Sequence, residues 1–450
     1  MSINNVQKIV LLLAVILSFS LVNGQGDSTK VITGATLFDG TGRAPLKDAV
    51  IIIDGTRIKE VGPADQIKVP PQAQVIDARG KFVIPGLADM HNHLDSDSIG
   101  ITQHVQDFGG SLKRMLGWGF TLILDPASRE LDQRSELKRI AEAEVAPYPH
   151  YFAIGRTFGA KGGHGPPTKY TPETTEEARE AVREVKAAGT DAIKIYYTDL
   201  IYVTKQRRPM LKPDVMASII DEAHKQGLKV YVHAPVLEYA KEVLRAGADA
   251  LAHGILSAPV DEEFLTLMKK NRAFYVSTNA VFESVADITG WSRRAAATDE
   301  RGVIAKEIFE AGMSPELEKE WRTKWNNIAY MKKRLPILRE NLRRVYAAGI
   351  PVVMGSDSSG AFVGLASQIE LVLQVEAGLT PQQAIQTATI NAAKMVGRDR
   401  DLGSVEAGKL AELLILDADP LADIRNVRRI YRIVKGGILY EQSQLLPAAK

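Results

Sequence analysis

Apolar and polar residues alternate along both ends of the chain but not along its middle. The alternation covers residues 29–80 and returns near the C-terminus, in the segments AELLILDADP and RRIYRIVKGGILYE. Gly and Asp residues interrupt it at short intervals. A period of two predicts β-strands with one buried face that are joined by tight turns. We therefore expect the two ends of the chain to pair into one small β-sandwich.

Between the two ends, short apolar runs alternate with amphipathic helical segments. Repeated strand–helix units predict a parallel sheet, and eight of them favour an α/β fold, a (β/α)₈ TIM-type barrel. An open doubly wound sheet is the alternative, but the first run is followed by HNHLD instead of a glycine-rich phosphate-binding turn. The eight runs are 82–93, 121–126, 150–155, 192–197, 229–234, 250–254, 273–278 and 351–357.

The connection between the seventh and eighth runs is unusually long. It spans about residues 279–350 and contains Trp291, Trp321 and Trp325. A long excursion from the active face of a barrel often forms a lid or a substrate wall. An extra packing layer explains the same length equally well, so both interpretations stay open.

The N-terminal segment has the pattern of a signal peptide. Lys8 precedes the apolar run IVLLLAVILSFSLV, and the small and polar residues Asn23 and Gly24 follow it. The run is shorter than the ~20 residues that a membrane-spanning helix needs. We expect cleavage near Gly24, a periplasmic or secreted protein, and no membrane anchor after the signal is removed. The predicted parts are the signal peptide 1–24, the first sandwich part 25–84, the barrel 85–400 and the second sandwich part 401–450.

Composition narrows the chemistry. A net charge of +2 and 24% charged residues argue against nucleic acid as a partner, so we expect a small-molecule substrate; a homo-oligomer is compatible with the sequence. The chain has no cysteine, which excludes disulfides and thiolate metal sites. Any metal must therefore be held by histidine, carboxylate or a modified side chain.

Four of the eight histidines lie at the carboxyl ends of predicted strands: His91 and His93 on the first, His233 on the fifth and His253 on the sixth. Asp357 ends the eighth run in the same way. In a barrel these ends converge on one face, and His91 and His93 point to the same side of an extended segment. Each histidine alone is as readily structural, but their coincidence predicts a metal site.

Lys194 lies inside the apolar strand AIKIYY, where a buried cation would be costly. Burial lowers the pKa of lysine and favours the neutral amine, which can react with carbon dioxide to give an anionic carbamate. Such a group has two oxygens and could bridge two metal ions. The alternative is a lysine that stays a cation and binds a substrate carboxylate or pairs with Asp357.

Several segments together resemble the amidohydrolase superfamily, and within it the imidazolonepropionase-like and prolidase-like group. They are PGLADMHNHLD, GTDAIKIY, the VHA, AHG and GSD strands, AGLTPQQAIQTATINAAKMVG and LGSVEAGKLAELLILDADPL. The resemblance covers nearly the whole chain after the signal segment. It implies a barrel carried with a composite β-sandwich, in agreement with the pattern of apolar residues.

The resemblance also implies two divalent metal ions, with zinc expected. The two histidines of the first strand and the aspartate would hold the more buried ion, and the other two histidines would hold the second. A lysine carboxylated by carbon dioxide would bridge the ions together with a hydroxide, the nucleophile. Asp357 would act as general base and then as general acid. The six implied ligands are His91, His93, Lys194, His233, His253 and Asp357.

Other residues bear on the substrate. His164, in the loop FGAKGGHGPP, occupies a loop that borders the substrate in relatives, although a flexible surface turn explains it too. Tyr196 and Tyr197 flank the same cavity, and alternation requires that one of them face away. Gln368 stands where the family often has a histidine, and Pro235 follows the fifth strand where peptidase-type relatives carry a polar residue, which disfavours a dipeptidase.

The sequence therefore predicts a metal-dependent hydrolase of carbon–nitrogen bonds. Its expected substrate is a dipeptide-like molecule, an N-acyl amino acid or a cyclic amide. Hydrolysis of a lactone, carbamate or ester at the same site is the alternative, because fold does not fix substrate. A non-catalytic barrel that binds a metal or ligand is the interpretation from a different class.

Overall fold

The computed structural model describes residues 29–94, 108–127, 146–446 and 448. The predicted signal segment, residues 1–24, lies outside these described residues. Among the described residues, no helix combines the length and the apolar character that a transmembrane span requires.

The N-terminal part forms strands, as the alternating pattern predicts. Its strands are β1 (Lys30–Leu37), β2 (Leu46–Asp54), β3 (Arg57–Pro63), β4 (Gln74–Asp77) and β5 (Phe82–Pro85).

Every predicted apolar run of the central region contains a strand. The strands of the central region are β6 (Leu87–Asp89), β7 (Asn92–His93), β8 (Phe120–Asp125), β9 (His150–Ala153), β10 (Ile193–Tyr196), β11 (Val230–His233), β12 (Ala250–Ala252), β13 (Phe274–Ser277), β14 (Val352–Met354) and β15 (Ser358–Ser359), and the last of them directly follows the eighth run. Two parallel sheets result, in the orders β6-β8-β9 and β10-β11-β12-β13-β14. The predicted α/β fold with parallel strands is confirmed.

Backbone hydrogen bonds connect the two parallel sheets on both sides. On one side the Asp191 N–H donates to the Ala153 carbonyl at 3.1 Å. On the other side the Met90 N–H donates to the Met354 carbonyl at 3.0 Å. Beyond that bond, β7 pairs with β15 in parallel.

Helices separate most of the central strands. The helices are α1 (Phe108–Gly117), α2 (Thr175–Ala187), α3 (Pro213–Lys225), α4 (Leu237–Arg245), α5 (Glu262–Asn271), α6 (Asn279–Ala286), α7 (Ile288–Thr298), α8 (Lys306–Gly312), α9 (Pro315–Lys324), α10 (Ile328–Ala347), α11 (Leu365–Glu376), α12 (Pro381–Thr387), α13 (Ile390–Met395) and α14 (Gln442–Leu445). Helix α2 begins after the N-cap Thr174, whose side chain accepts a hydrogen bond from the Glu177 N–H.

The two ends of the chain meet in one sheet. The C-terminal strands are β16 (Leu413–Leu416), β17 (Ile430–Lys435) and β18 (Ile438–Tyr440). The strand order is β18-β17-β16-β5-β1-β2-β3, and β4 also pairs with β1. The antiparallel pairing of β5 with β16 joins the two halves. The predicted pairing of the chain ends is therefore confirmed.

The long connection folds into the five helices α6 to α10. Trp291 and Trp321 are buried in a large hydrophobic core that also contains Phe282 and Phe362. Trp321 lines the central cavity as well, together with Trp325. Both interpretations of the connection therefore hold, because it contributes side chains to the hydrophobic core and also forms a wall of the cavity.

Candidate metal centre

The candidate ligands other than Lys194 lie at the ends of four central strands. His91 and His93 follow β6, His233 is the last residue of β11, and His253 and Asp357 follow β12 and β14. His253 and Asp357 have positive φ angles of 74° and 53°. Residues other than glycine rarely adopt this backbone region, and such strain is often found at functional sites.

His91, His93 and Asp357 form the tightest group. Oδ1 of Asp357 lies 3.5 Å from Nε2 of His91 and 3.1 Å from Nε2 of His93. Each residue offers one ligand atom, and these atoms all lie within 4.8 Å of one another. Ligands about 2.1 Å from a tetrahedral ion are about 3.4 Å apart, so this spacing suits one divalent ion.

The other two histidines lie beside this group. The ring centroids of His233 and His253 are 4.4 Å apart, and those of His253 and His91 are 4.7 Å apart. All three rings are buried. Burial lowers the pKa of each of them and, for His253, to about 3. They are therefore neutral near pH 7, which is the form that binds a metal.

His93 differs from the other histidines of the site. Burial lowers the pKa of His93, but the hydrogen bond to Asp357 and the negative charges of Asp357 and Asp125 together outweigh it and raise the pKa above the ordinary value. His93 and Asp357 therefore form an ion pair when the imidazole is protonated. A metal ion would compete with that proton for the same nitrogen.

Lys194 lies in β10 beneath these groups. Its side chain is 1% exposed, and its Nζ makes no hydrogen bond to the described residues. This Nζ lies 4.4 Å from the ring centroid of Tyr231. Burial lowers the pKa of Lys194 to about 7, although Asp357 acts in the opposite direction. An amine that loses its proton readily near neutral pH and makes no hydrogen bond to the described residues is compatible with the carbamate interpretation.

Side chains outside the ligand set fix which imidazole nitrogen faces the site. Nδ1 of His91 is hydrogen-bonded to the Tyr231 hydroxyl at 2.8 Å. Nδ1 of His253 is hydrogen-bonded to Oγ1 of Thr278 at 2.9 Å. These contacts leave Nε2 of both histidines for a ligand, and they orient the rings.

His233 is oriented in the opposite sense. Its Nε2 is hydrogen-bonded to the Tyr202 hydroxyl at 2.9 Å, which leaves Nδ1 for a ligand. Sequence reasoning missed Tyr202, Tyr231 and Thr278. The sequence positions of Tyr231 and Thr278 could have indicated their roles, because Tyr231 lies two residues before His233 and Thr278 directly follows β13. Tyr202 lies in a loop, and nothing in the sequence indicated that it would contact His233.

Asp89 joins the two strand ends that carry the tightest group. Its Oδ1 accepts hydrogen bonds from the N–H groups of His91 and Ser356, at 3.0 and 3.1 Å. Its Oδ2 accepts from the hydroxyls of Ser356 and Ser367, each at 2.6 Å. The carboxylate therefore fixes the backbone next to both His91 and Asp357. Sequence reasoning missed this residue too.

A cavity of about 350 Å³ opens above these residues. His164 and Tyr196 line it, as predicted, with their ring centroids 4.8 Å apart. The His164 ring also lies 4.6 Å from the His233 ring, and its pKa falls to about 4, chiefly because of burial. The loop of His164 is therefore part of the cavity.

Tyr197 requires a correction, because it does not line this cavity. Its hydroxyl donates to Oε2 of Glu242 at 2.6 Å, and its ring packs in the core between sheet and helices. Lys194 and Tyr196 face inward, so the alternation along β10 turns Tyr197 outward.

Gln368 and Pro235 also lie away from the cavity lining that the described residues form. Nε2 of Gln368 donates to the Trp118 carbonyl at 2.7 Å, and the Pro235 carbonyl accepts from the Leu256 N–H at 2.9 Å. Both residues therefore have structural contacts of their own, and neither lines the cavity.

Comparison with known proteins agrees with this geometry. The chain is 26% identical over 468 residues to the ochratoxinase of Aspergillus niger, which covers 94% of this chain and 89% of that enzyme. It is 26% identical over 400 residues to the imidazolonepropionase of Symbiobacterium thermophilum, which covers 82% and 85% of the two chains. A solved Xaa-Pro dipeptidase with methionine bound in its active site is 25% identical, with a TM-score of 0.72 over 92% of this chain and 100% of the dipeptidase.

The sequence also matches the description of the amidohydrolase family over residues 82–439, which is well over half of the chain. The predicted class, a hydrolase acting on carbon–nitrogen bonds, is confirmed by this match and by the relatives. The fold is the α/β, TIM-barrel type of these proteins. The chain therefore belongs to the amidohydrolase family.

Proposed function

We propose that this hydrolase cleaves an amide bond in a small molecule at a centre of two divalent metal ions, with zinc as the expected metal. The observation that carries the proposal is the convergence of six candidate ligands on the floor of one cavity. They are His91, His93, Lys194, His233, His253 and Asp357. The buried, unpartnered Nζ of the lysine and the three neutral imidazoles supply the donor chemistry that such a centre needs.

The residues divide into two groups around the lysine. His91, His93 and Asp357 would hold one ion, and His233 and His253 would hold the other. Carbon dioxide would form a carbon–nitrogen bond with the neutral Lys194 amine, which releases one proton and leaves an anionic carbamate. The carbamate would supply two anionic oxygen donors to the centre.

Two ions held there would supply an activated water and a polarised scissile carbonyl. Burial raises the pKa of Asp357, but the hydrogen bond and charge of His93, with smaller contributions from His253 and Lys194, outweigh it and lower the pKa below the ordinary value. Asp357 therefore stays a carboxylate. It would accept a proton from the attacking water and donate it to the leaving amine nitrogen. Tyr196 and His164 would contact the substrate from the cavity side.

We also propose that the parallel strands close into a barrel and that the chain ends form a sandwich. The backbone hydrogen bonds on both sides of the parallel sheets support a single closed eight-stranded barrel within 85–400. A two-layer sandwich built from 25–84 and 401–450 is supported by one hydrophobic core that contains Ile32 and Ile51 as well as Leu413 and Val434.

We also propose that the enzyme is exported and acts in the periplasm or outside the cell. The basic, apolar and small residues before position 25 support this. The N-terminal sequence of the active protein from its own cells should begin near Gln25. Active protein that retains Met1 would contradict export with cleavage.

Metal content tests the centre. Protein spanning 25–450, reconstituted with zinc and bicarbonate, should carry two ions per chain by elemental analysis. His253→Ala should lose metal and activity together. His224→Ala is the matched control, because this histidine binds Asp249 at 2.8 Å, away from the cavity, and it should keep both. One ion or none in the unaltered protein would reject the two-metal centre.

A substrate panel tests the reaction. Zinc-loaded enzyme should hydrolyse at least one of N-acyl amino acids, dipeptides and cyclic amides. The Xaa-Pro dipeptidase among its relatives supports a peptide-like amide. Turnover of lactones or esters alone would overturn the amide proposal. A fully metal-loaded protein that hydrolyses none of these compounds would favour a non-catalytic binding barrel.

A further inference from the structure

The corner between strand β13 and helix α6 uses its threonine in an unusual way. Ser277 ends β13 and Thr278 stands at the N-cap of α6, but the Thr278 hydroxyl is hydrogen-bonded to Nδ1 of His253 at 2.9 Å. A threonine at an N-cap ordinarily accepts a hydrogen bond from an N–H of the first helical turn. The Thr278 side chain makes no such bond. The first turn of α6 therefore needs another acceptor.

Glu370, in the middle of α11, supplies that acceptor, and its side chain is buried. Its Oε2 accepts a hydrogen bond from the Ala280 N–H at 2.7 Å. Its Oε1 accepts from the Ser277 hydroxyl at 2.9 Å and from Nδ2 of Asn279 at 3.0 Å. The start of a helix also favours a negative charge. One carboxyl group therefore binds the chain on both sides of Thr278.

Two further buried residues hold the hydrogen bonds of this corner in one direction. Nε2 of Gln374, one turn further along α11, donates to Oγ of Ser277 at 2.8 Å. Oε1 of Gln374 accepts from the Thr387 hydroxyl at 2.7 Å. Because the Ser277 hydroxyl accepts from Gln374, its own proton is directed to Glu370. The corner is therefore fixed to α11 and α12, which pack against it.

The same corner begins one wall of the cavity. The side chains of this apolar wall come from α6 and from the rest of the long connection, and they are Phe282, Val285, Trp321, Trp325 and Met331. Glu370 itself does not line the cavity. Any effect of Glu370 on the cavity must therefore pass through the corner that it holds.

We infer that Glu370 is a positioning residue for the metal centre: it holds the corner from Ser277 to Ala280, so that Thr278 orients His253 instead of capping its own helix. This inference rests on the proposed two-metal centre, in which His253 binds one of the ions. It assigns a function to a buried acidic side chain that takes no part in the proposed reaction.

The test measures zinc affinity by competition with a chelator. Glu370→Gln keeps the size of the side chain but turns an amide donor toward donors of the corner. One of the two zinc ions should be held about tenfold more weakly, the low end for a residue that orients a metal ligand, because Glu370 acts through Thr278. Burial raises the pKa of Glu370 to about 8, although its hydrogen bonds act in the opposite direction. The measurement is therefore made at about pH 9, where the carboxyl group is ionised.

Thr278→Val distinguishes positioning from a general loss of structure. In a chain that already lacks the Thr278 hydroxyl, Glu370→Gln should weaken zinc binding further by less than about twofold, because no hydroxyl is left to position. It should still lower Tm, because the donors at the start of α6 lose their acceptor in either chain. A merely structural role would instead give the same loss of zinc affinity in both chains.

Asp261→Asn is the matched control. Asp261 caps helix α5 by accepting a hydrogen bond from the Phe264 N–H at 2.9 Å, and it does not line the cavity. The variant makes the same exchange of carboxylate for amide at the start of another helix. It should lower Tm and leave the affinity for both zinc ions unchanged.

Ser277→Ala is the second variant and serves where Glu370→Gln does not fold. It removes one hydrogen bond to Glu370 and keeps the carboxyl group. It should weaken zinc binding in the same direction, and again only in a chain that has the Thr278 hydroxyl.

The outcomes separate the inference from the function on which it rests. Unchanged zinc affinity in the folded variant, or equal losses with and without the Thr278 hydroxyl, overturns the positioning role while the two-metal centre stands. Unchanged affinity in Thr278→Val alone overturns it as well. If the unaltered protein binds fewer than two zinc ions, the proposed centre and the inference both fail.

Discussion

A buried ion cluster joins the parallel sheets to the composite sheet, and we predict that it contributes strongly to stability. Oε1 of Glu412 lies 3.2 Å from Nζ of Lys435 and 3.2 Å from Nε2 of His150. The side chain of Lys435 is 0% exposed and that of Glu412 is 4% exposed. His150 begins β9, whereas Glu412 precedes β16 and Lys435 ends β17. Lys435→Met would therefore leave a buried carboxylate without its cation.

Removing one partner of a buried ion pair costs about 3–5 kcal/mol, because the remaining charge is uncompensated. At about 2.1 cal/mol/K per residue, the unfolding entropy of a chain of 450 residues is about 0.9 kcal/mol/K. If the chain unfolds in one cooperative step, Lys435→Met should lower Tm by about 3–6 °C.

The size of this loss depends on pH. Burial raises the pKa of Glu412, but Lys435 and His150 outweigh it and hold the pKa below its ordinary value. In the unaltered protein the carboxylate therefore stabilises the fold above its ordinary pKa, and this stabilisation is lost as the pH falls through the lowered pKa. In Lys435→Met, burial instead raises the pKa, and the variant loses stability as the pH rises. The Tm difference should be larger at pH 8 than at pH 5.

Calorimetric unfolding of metal-loaded protein measures the effect. Lys306→Met is the matched control, since it makes the same substitution in a pair with Glu310 at 2.6 Å whose side chains are 83% and 51% exposed. It should change Tm very little, because water screens an exposed ion pair. The double variant Glu412→Gln with Lys435→Met should recover part of the loss. Equal small shifts for both lysine variants, or no dependence on pH, would refute the reasoning.

Two further predictions concern the metal centre. Lys194→Ala should lose metal and activity together, acetate or propionate should restore part of both, and Lys194→Arg should stay inactive, because guanidinium cannot be carboxylated. An alanine variant that keeps two tightly held ions would end the carbamate proposal. Thr278→Val should weaken metal affinity about 10- to 100-fold, because it removes the hydroxyl that orients His253. Competition with a chelator measures this, and unchanged affinity would contradict the positioning role.

The sequence predicted the parts of the structure that depend on local periodicity. A run of apolar residues forms a buried parallel strand whichever strand pairs with it. The sequence therefore predicted the eight runs and their order along the chain. The same rule places side chains at strand ends on one face, which brought His91, His233 and Asp357 together. Alternation also required that only one of Tyr196 and Tyr197 face the cavity, although it left open which one.

Contacts between residues far apart in the chain had no such signal. Tyr202 reaches His233 from a loop, and its partner depends on the path of that loop over the sheet. Lys435 meets His150 only because the chain ends pair beneath the parallel sheets. A lysine at the end of an alternating strand is usually solvated, so nothing local distinguished this one from a surface residue.

The two sides of the cavity come from different parts of the chain, and this division has a consequence for specificity. The candidate ligands stand on strand ends whose positions are fixed by the parallel sheets, whereas the apolar wall comes from α6 to α10, an insertion between β13 and β14. Substitutions in the wall can therefore change which substrates bind without moving the ligands. Relatives named ochratoxinase, imidazolonepropionase and Xaa-Pro dipeptidase carry different activities on one fold. Replacing the wall should therefore change the KM values for different substrates strongly, while the metal content should change little.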